Sequence, residues 1–350
     1  MTKTTTRNPH LDNTRFILVI LVVFGHLISP MRQDSEIIYW INNLLASFRM
    51  PALILLTGFF AKKFYKEGYV LKITKRLFVP YLVFQLIGTT LFRDGHFSSI
   101  NWFEPLMGLW FLLSLYQWNL LLFLFHRLKY PIIVSIIVGI GIGCIHQAGT
   151  YFSVSRTFVF FPFFLIGFYA EKAHFEWFRN KVAKVVSLVG IGVSILILSQ
   201  FTLLEARNML LGRYSYLDMG LTTMEGIFIR FTFYVLMLLG IITILSWVPK
   251  QFTFYTKLGQ KTAYIYLLHL FILKYVRVFE WLEDLHLLKA ALYFLLAFIL
   301  SLLLSSKLII FIMKPVVEGT IVDFIQTQFD KAKAMWLRRR IFVTQSKSVS

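Results

Sequence analysis

The chain is divided by apolar stretches that recur along nearly its whole length, at residues 14–30, 40–61, 77–92, 105–126, 131–147, 155–171, 183–203, 227–248, 262–280 and 290–313. A hydrocarbon core about 30 Å thick takes roughly 20 apolar residues to cross as a helix, so each stretch reads as one membrane-crossing helix. Such runs leave far more apolar surface than a soluble domain could hide, in a chain that is 57% hydrophobic with a mean hydropathy of +0.69. The expected fold is all-α, a polytopic integral membrane protein of about ten helices in residues 1–314. Residues 315–350 are expected to form an amphipathic helix and tail, from Ile321, Phe324, Ile325, Phe329, Ala332 and Trp336 at helical spacing beside Lys331, Lys333 and the Arg338–Arg340 run. The first apolar run lacks a small-residue cleavage site and is expected to stay in the protein.

The formal charge of +19 could point to nucleic acid, but in such a chain its distribution carries the information. With ten spans, and with basic residues at the window ends counted with the adjoining loops, 24 Lys/Arg fall on the side of the N-terminus and 7 on the opposite side, and the other five, Arg15, Arg49, Lys274, Arg277 and Lys307, fall within spans. That asymmetry predicts a cytoplasmic N-terminus and tail. The densest basic loop, Lys62, Lys63, Lys66, Lys72, Lys75 and Arg76, suits anionic headgroups or the docking of a phosphorylated donor. The connection from Leu204 to Gly226, the longest, mixes polar and aromatic residues and suits either a solvated connector or a carbohydrate surface. A single cysteine, Cys144, rules out an intrachain disulfide and a thiolate cluster, and no histidine spacing of zinc type occurs, so no metal is expected.

Charge inside the spans singles out the candidate site. An ionisable group at membrane depth costs roughly 3 kcal/mol on insertion scales, so it tends to face the protein interior and mark a ligand or ion path. Arg15 and His26 lie eleven residues apart in the first span. At about 100° and 1.5 Å per residue they share a face about 16 Å apart along the axis. Arg49 lies midway through the second span, and no window carries an aspartate or glutamate in its core. Asp12, one turn before Arg15, offers it a counterion, but Arg49 has no such neighbour, and its guanidinium requires carbonyls, water or an anionic ligand. The fourth span, Gly108 to Trp118, is polar and aromatic and is expected to face protein.

An arginine, ten residues and a histidine in the first span resemble the signature of the membrane-bound acyltransferase-3 family. Further segments match: Phe48-Arg-Met-Pro through Thr57-Gly58, with threonine where serine is commoner, Arg76 to Tyr81, Phe161 to Gly167, and Leu258-Gly259 through Tyr264-Ile-Tyr-Leu-Leu-His269. Together they span essentially the whole chain, and the closest subgroup is the stand-alone fucose 4-O-acetylase-like proteins. The resemblance implies an O-acyltransferase, expected to carry acetyl from cytoplasmic acetyl-coenzyme A, as co-substrate with no permanently bound cofactor, to a hydroxyl of an extracytoplasmic glycan or glycolipid. It implies a bacterial plasma-membrane location and no nucleic-acid partner.

In such a reaction His26 takes the hydroxyl proton or carries the acyl group, and the residues leave both routes open. Arg15, Arg49 and Arg76 are assigned to the donor, Arg15 also to catalysis, and His269, Trp110 and Thr57 to acceptor or supporting roles. Lys274 and Arg277 lie toward the outer end of the ninth span and suit snorkelling. A polysaccharide transporter or flippase is the alternative, although proton-driven transporters place carboxylates within their spans and these spans lack them.

Overall fold

The computed structural model of the protein describes residues 8–92, 101–276, 286–324 and 326–331. Helix α1 (Pro9–Leu27) starts where the Asn8 side chain accepts from the His10 N–H at 3.0 Å, with Pro9 in the first turn. A proline there removes only a donor that would be orphaned anyway. Helix α2 (Glu36–Phe60) runs back beside α1. Helix α3 (Tyr69–Ile73) continues through a π-helical turn, Thr74–Phe78, into α4 (Val79–Phe92), so the third window is one interrupted helix whose widened turn carries Lys75 and Arg76. The bundle continues through α5 (Trp110–Phe125), α6 (Pro131–Gly141), α7 (Val154–Tyr169), the short α8 (Lys172–Trp177), α9 (Lys181–Ser199), α10 (Leu203–Leu211), α11 (Thr223–Trp247), α12 (Thr262–Val276), α13 (His286–Leu304) and α14 (Lys307–Val317). Among the described residues there is no strand.

Seven of these helices are long and apolar enough to cross a membrane, and residues 131–144 and 262–273 add two shorter apolar helices. The fold is thus an all-α polytopic membrane protein. Three sequence readings change. The window 290–313 is two helices, because Ser306 accepts from the Ile309 N–H and starts α14 afresh. The connection 204–226 is ordered: Thr202 and Glu205 form a capping box for α10, Thr222 and Glu225 do the same for α11, and Gly212 closes α10 in the left-handed conformation at φ +62°. Arg156 and Arg230, counted with the outer loops, belong to α7 and α11. Arg230 is fully buried and donates to the Met209 carbonyl at 2.8 Å. Ile325, the side chain of Lys274, Arg277 and residues 332–350 lie outside the described residues.

Helices α1, α2 and α7 form the interior. Over its best apolar window α1 is 78% buried, against 28% for α9 and for α13. Helices α2 and α7 touch backbone to backbone: a Cβ on Gly58 would sit 2.0 Å from the Phe164 carbonyl oxygen, and one on Gly167 would sit 1.8 Å from that of Leu55. Small residues are what permit such contact where lipid supplies no hydrophobic drive between helices. The fourth-span expectation holds, since Ser114 and Trp118 are fully buried and Trp118 donates to the Thr157 carbonyl at 2.7 Å.

Candidate active site

Three helices meet around His26. Near the end of α1 its ring lies 5.4 Å, centroid to centroid, from that of His269 on α12, tilted by 45°. His269 is fully buried, and its Nδ1 lies 3.0 Å from the Ile265 carbonyl one turn earlier. A carbonyl only accepts, so Nδ1 carries the proton and Nε2 presents a lone pair. That Nε2 is sealed from solvent and has no hydrogen-bond partner among the described residues. Tyr266, three residues before His269, faces the same interior, its ring 5.7 Å from the imidazole and its hydroxyl donating to the Gly108 carbonyl at 2.8 Å.

Arg49 arrives from α2. Its Nη1 reaches toward the Leu21 carbonyl at 3.5 Å, and its guanidinium lies across Gly25, where an added Cβ would stand 1.4 Å from Nη1. Glycine immediately before His26 is thus the space the guanidinium occupies. Asn42 holds the same point by donating to the Gly25 carbonyl at 2.9 Å. The Tyr266 ring also lies 5.0 Å from that of Phe111, next to Trp110 on α5. Arg156 stacks on Trp110, with Cζ 4.9 Å from the ring centroid. The loops that deliver this pair contain non-glycine residues in the left-handed region, Met107 at φ 49° before α5, and Phe152 and Ser153 at φ 51° and 55° before α7. Such strain persists where surrounding structure enforces it, and it clusters at functional sites.

Arg15 lies far down α1, with its Cζ 5.1 Å from the centroid of the Phe60 ring at the end of α2. Arg76 is exposed at the same end of the bundle, near Tyr264 of α12. Lys62 there donates to the Ala170 carbonyl and helps line a cavity of about 620 Å³ with Phe64, Tyr65, His126, Arg127 and Phe168. The structure therefore brings His26, His269 and Arg49 together, places Trp110 at their margin, and leaves Arg15 and Arg76 at the far end. Thr57 is not part of this group, because its hydroxyl donates to the Ile54 carbonyl of its own helix at 2.7 Å.

Sequence reasoning passed over Tyr266, Gly25 and Arg156. The i, i+3 spacing of Tyr266 to His269 was the one available signal for the first; nothing local marked the others. A glycine beside a histidine reads as an ordinary helical residue, and Arg156 sits at the edge of an apolar window.

The acyltransferase-domain family model, of the acyltransferase-3 type, matches residues 8–309, nearly the whole helical bundle. No curated protein and no solved structure matches the chain. A match over that length, on a membrane bundle whose facing histidines and arginine lie on the helices it covers, makes this chain a member of the acyltransferase-3 family, a membrane acyltransferase.

Proposed function

We propose that the protein is an O-acetyltransferase that takes acetyl from acetyl-coenzyme A at the cytoplasmic end of the bundle and passes it to a hydroxyl of an extracytoplasmic glycan, in the manner of fucose 4-O-acetylase-like proteins. The observation that carries this reading is the His26–His269 pair, set with Arg49 and Tyr266 at one end of α1 while Arg15 occupies the other. A donor held at Arg15 and reacting at His26 has to span about 16 Å, which suits a long flexible thioester arm with a phosphorylated head. Arg15 and Arg76 offer that head fixed charge and forked donors.

The acceptor oxygen bonds the thioester carbon, the C–S bond breaks, and the hydroxyl proton passes to His26 and from it to the departing thiolate. A positioned base of this kind contributes about 10²–10⁴-fold. His269, fixed by Ile265, supports His26 from the facing helix. Arg49 faces the carbonyl oxygen as it gains charge, where a guanidinium in a dry site is most effective.

The test is the O-acetyl content of cell-surface glycans with and without the protein, and with His26→Gln in its place. Loss of acetyl in both is expected. Unchanged acetyl content with loss of the glycan itself would favour the transport reading. Direction is tested separately with single cysteines at Gln33 and Glu67 in a Cys144→Ser background. An impermeant thiol reagent added outside should label only the first, and the reverse pattern would end the proposed orientation.

A further inference from the structure

At the end of the bundle where His26 sits, Ser155 donates to the Gly212 carbonyl at 2.8 Å, which joins the backbone just before Arg156 to the backbone just before Arg213. Arg156 rests on Trp110, and Arg213 rests on Tyr214 at 4.5 Å and donates to its hydroxyl. In each, Nε is sealed from solvent without a partner, while the side chain as a whole is only half-buried. Among the described residues no ion pair involves either arginine. Of the acids on nearby segments, Glu104 is exposed before α5 and forms no ion pair with either arginine, and the others are committed. Asp218 accepts from the Ser215 hydroxyl at 2.7 Å and lies 3.0 Å from His146 Nδ1, and the Ser215 bond holds its carboxyl below the usual range. Glu205 and Glu225 cap α10 and α11.

Two guanidinium groups carried on joined backbone, with sealed Nε donors and no paired carboxylate, are costly, and a shared oxyanion offsets that better than water does. Arg230 also has sealed donors without partners, Nε and Nη2, but its Nη1 donates to the Met209 carbonyl at 2.8 Å and its charge lies over the Tyr216 ring. Arg156 has no hydrogen bond to any described residue. From it, ring contacts lead inward through Trp110, Phe111 and Tyr266 to His269, with centroid spacings of 6.1, 5.0 and 5.7 Å.

We infer that Arg156 and Arg213 form the acceptor subsite, and that the acceptor is an acidic glycan whose carboxylate or phosphate docks on this pair beside the hydroxyl to be acylated. This rests on the acyltransferase reading, and it adds that a glycan with no acidic group beside the acylated sugar is a poor acceptor. Aromatic floors under both guanidinium groups also suit a sugar ring, which stacks its C–H face on such surfaces while its charged group reaches the forks.

The test is thermal stabilisation of the purified full chain in a neutral detergent at constant ionic strength, with acetyl-coenzyme A and each saccharide applied separately. The probes are hexagalacturonate, its fully methyl-esterified form, and a short poly(glycerol phosphate). Hexagalacturonate or the phosphate polymer is expected to raise the unfolding temperature, the two arms separating carboxylate from phosphate, and the neutral ester is not. Arg156→Gln and Arg213→Gln should each weaken the anionic response about tenfold or more. Both should keep the response to acetyl-coenzyme A, which shows that they fold and bind donor. Equal stabilisation by the ester and the acid, undiminished anion response in the double variant, or stabilisation by phosphatidylglycerol with none by either polymer would overturn the inference. Absence of a donor response in the unaltered protein would count against the acyltransferase reading alone, because the saccharide arms do not depend on donor.

Discussion

Helices α1 and α9 are both 19 residues long, and α9 is the more apolar, with a hydropathy of 2.3 against 1.3. In a soluble protein the more apolar helix would be expected inside. Here the order is reversed, since α1 is 78% buried and α9 28%. Lipid tails are as good a solvent for leucine as a protein core is, so greasiness does not pull a helix inward; polar side chains and close backbone packing do. Helix α1 brings Asp12, Asn13, Thr14, Arg15 and His26 into the bundle. Asn13 alone bonds the carbonyls of Pro249 and Gln251 at 2.8 and 2.9 Å and accepts from Thr256 at 2.7 Å. Helix α9 exposes Val185, Leu188, Val189 and Leu196.

The comparison breaks most sharply at His26. His26→Gln keeps a hydrogen-bonding side chain and removes the base, so acetyl transfer should fall by about 10²–10⁴-fold while the purified protein melts close to the unaltered one. Near-normal transfer by a stable variant would remove His26 from both the base and the carrier roles, and α1 would then be an interior helix for packing reasons only.

Gly25 separates position from chemistry. Its missing Cβ is the space that the Arg49 guanidinium fills, and the atoms in the way are the tip of a flexible side chain rather than backbone. Gly25→Ala should therefore displace Arg49 without unfolding α1, and lower transfer about 10-fold or more, since loss of one positioned donor to a developing oxyanion costs roughly 10²–10³. Arg49→Ala should match it, and the double variant should be no worse than Arg49→Ala. Additive losses would show that Gly25 acts through something other than Arg49.

What could be read before folding, and what could not, follows the same line. Arg15, His26 and Arg49 stood out because a charge or titratable ring in a greasy run is costly wherever the helix goes. His269 stood out less, since a lone histidine among apolar neighbours packs as often as it reacts; its value came from facing His26, 243 positions away in the chain. Arg156 was hidden by its place at a helix start, where an arginine ordinarily reaches water. Only the stack on Trp110 turns it inward. The π-helical turn at Thr74–Phe78 and the break at Ser305–Ser306 were hidden because hydropathy averages over windows longer than either.

A smaller effect is expected at the other end of α1. Arg15→Lys keeps the charge but loses the planar fork that a phosphorylated donor would grip, and a lysine still reaches the Phe60 ring as a cation. The apparent KM for acetyl-coenzyme A should rise about tenfold with kcat and melting temperature little changed. A fall in kcat with unchanged KM would move Arg15 from donor binding to the reacting centre.

The smallest effect belongs on α9, and it is the control that makes Gly25 interpretable. Gly192 is helical and exposed, and a Cβ added there meets nothing within 4 Å. Glycine in a helix interior costs about 0.8–1.0 kcal/mol relative to alanine, through backbone freedom lost on folding. A helix held among lipid tails already has its backbone bonds enforced, which reduces that gain. Gly192→Ala should therefore raise stability by at most about 1 kcal/mol and leave acetyl transfer unchanged within twofold, although it is the same chemical change as Gly25→Ala in a helix of the same length. The measurement is a paired melt and transfer assay on the two variants. A loss of transfer in Gly192→Ala comparable to that in Gly25→Ala would mean that α9 moves against the bundle during turnover, and its exposed face could no longer be treated as a passive lipid contact.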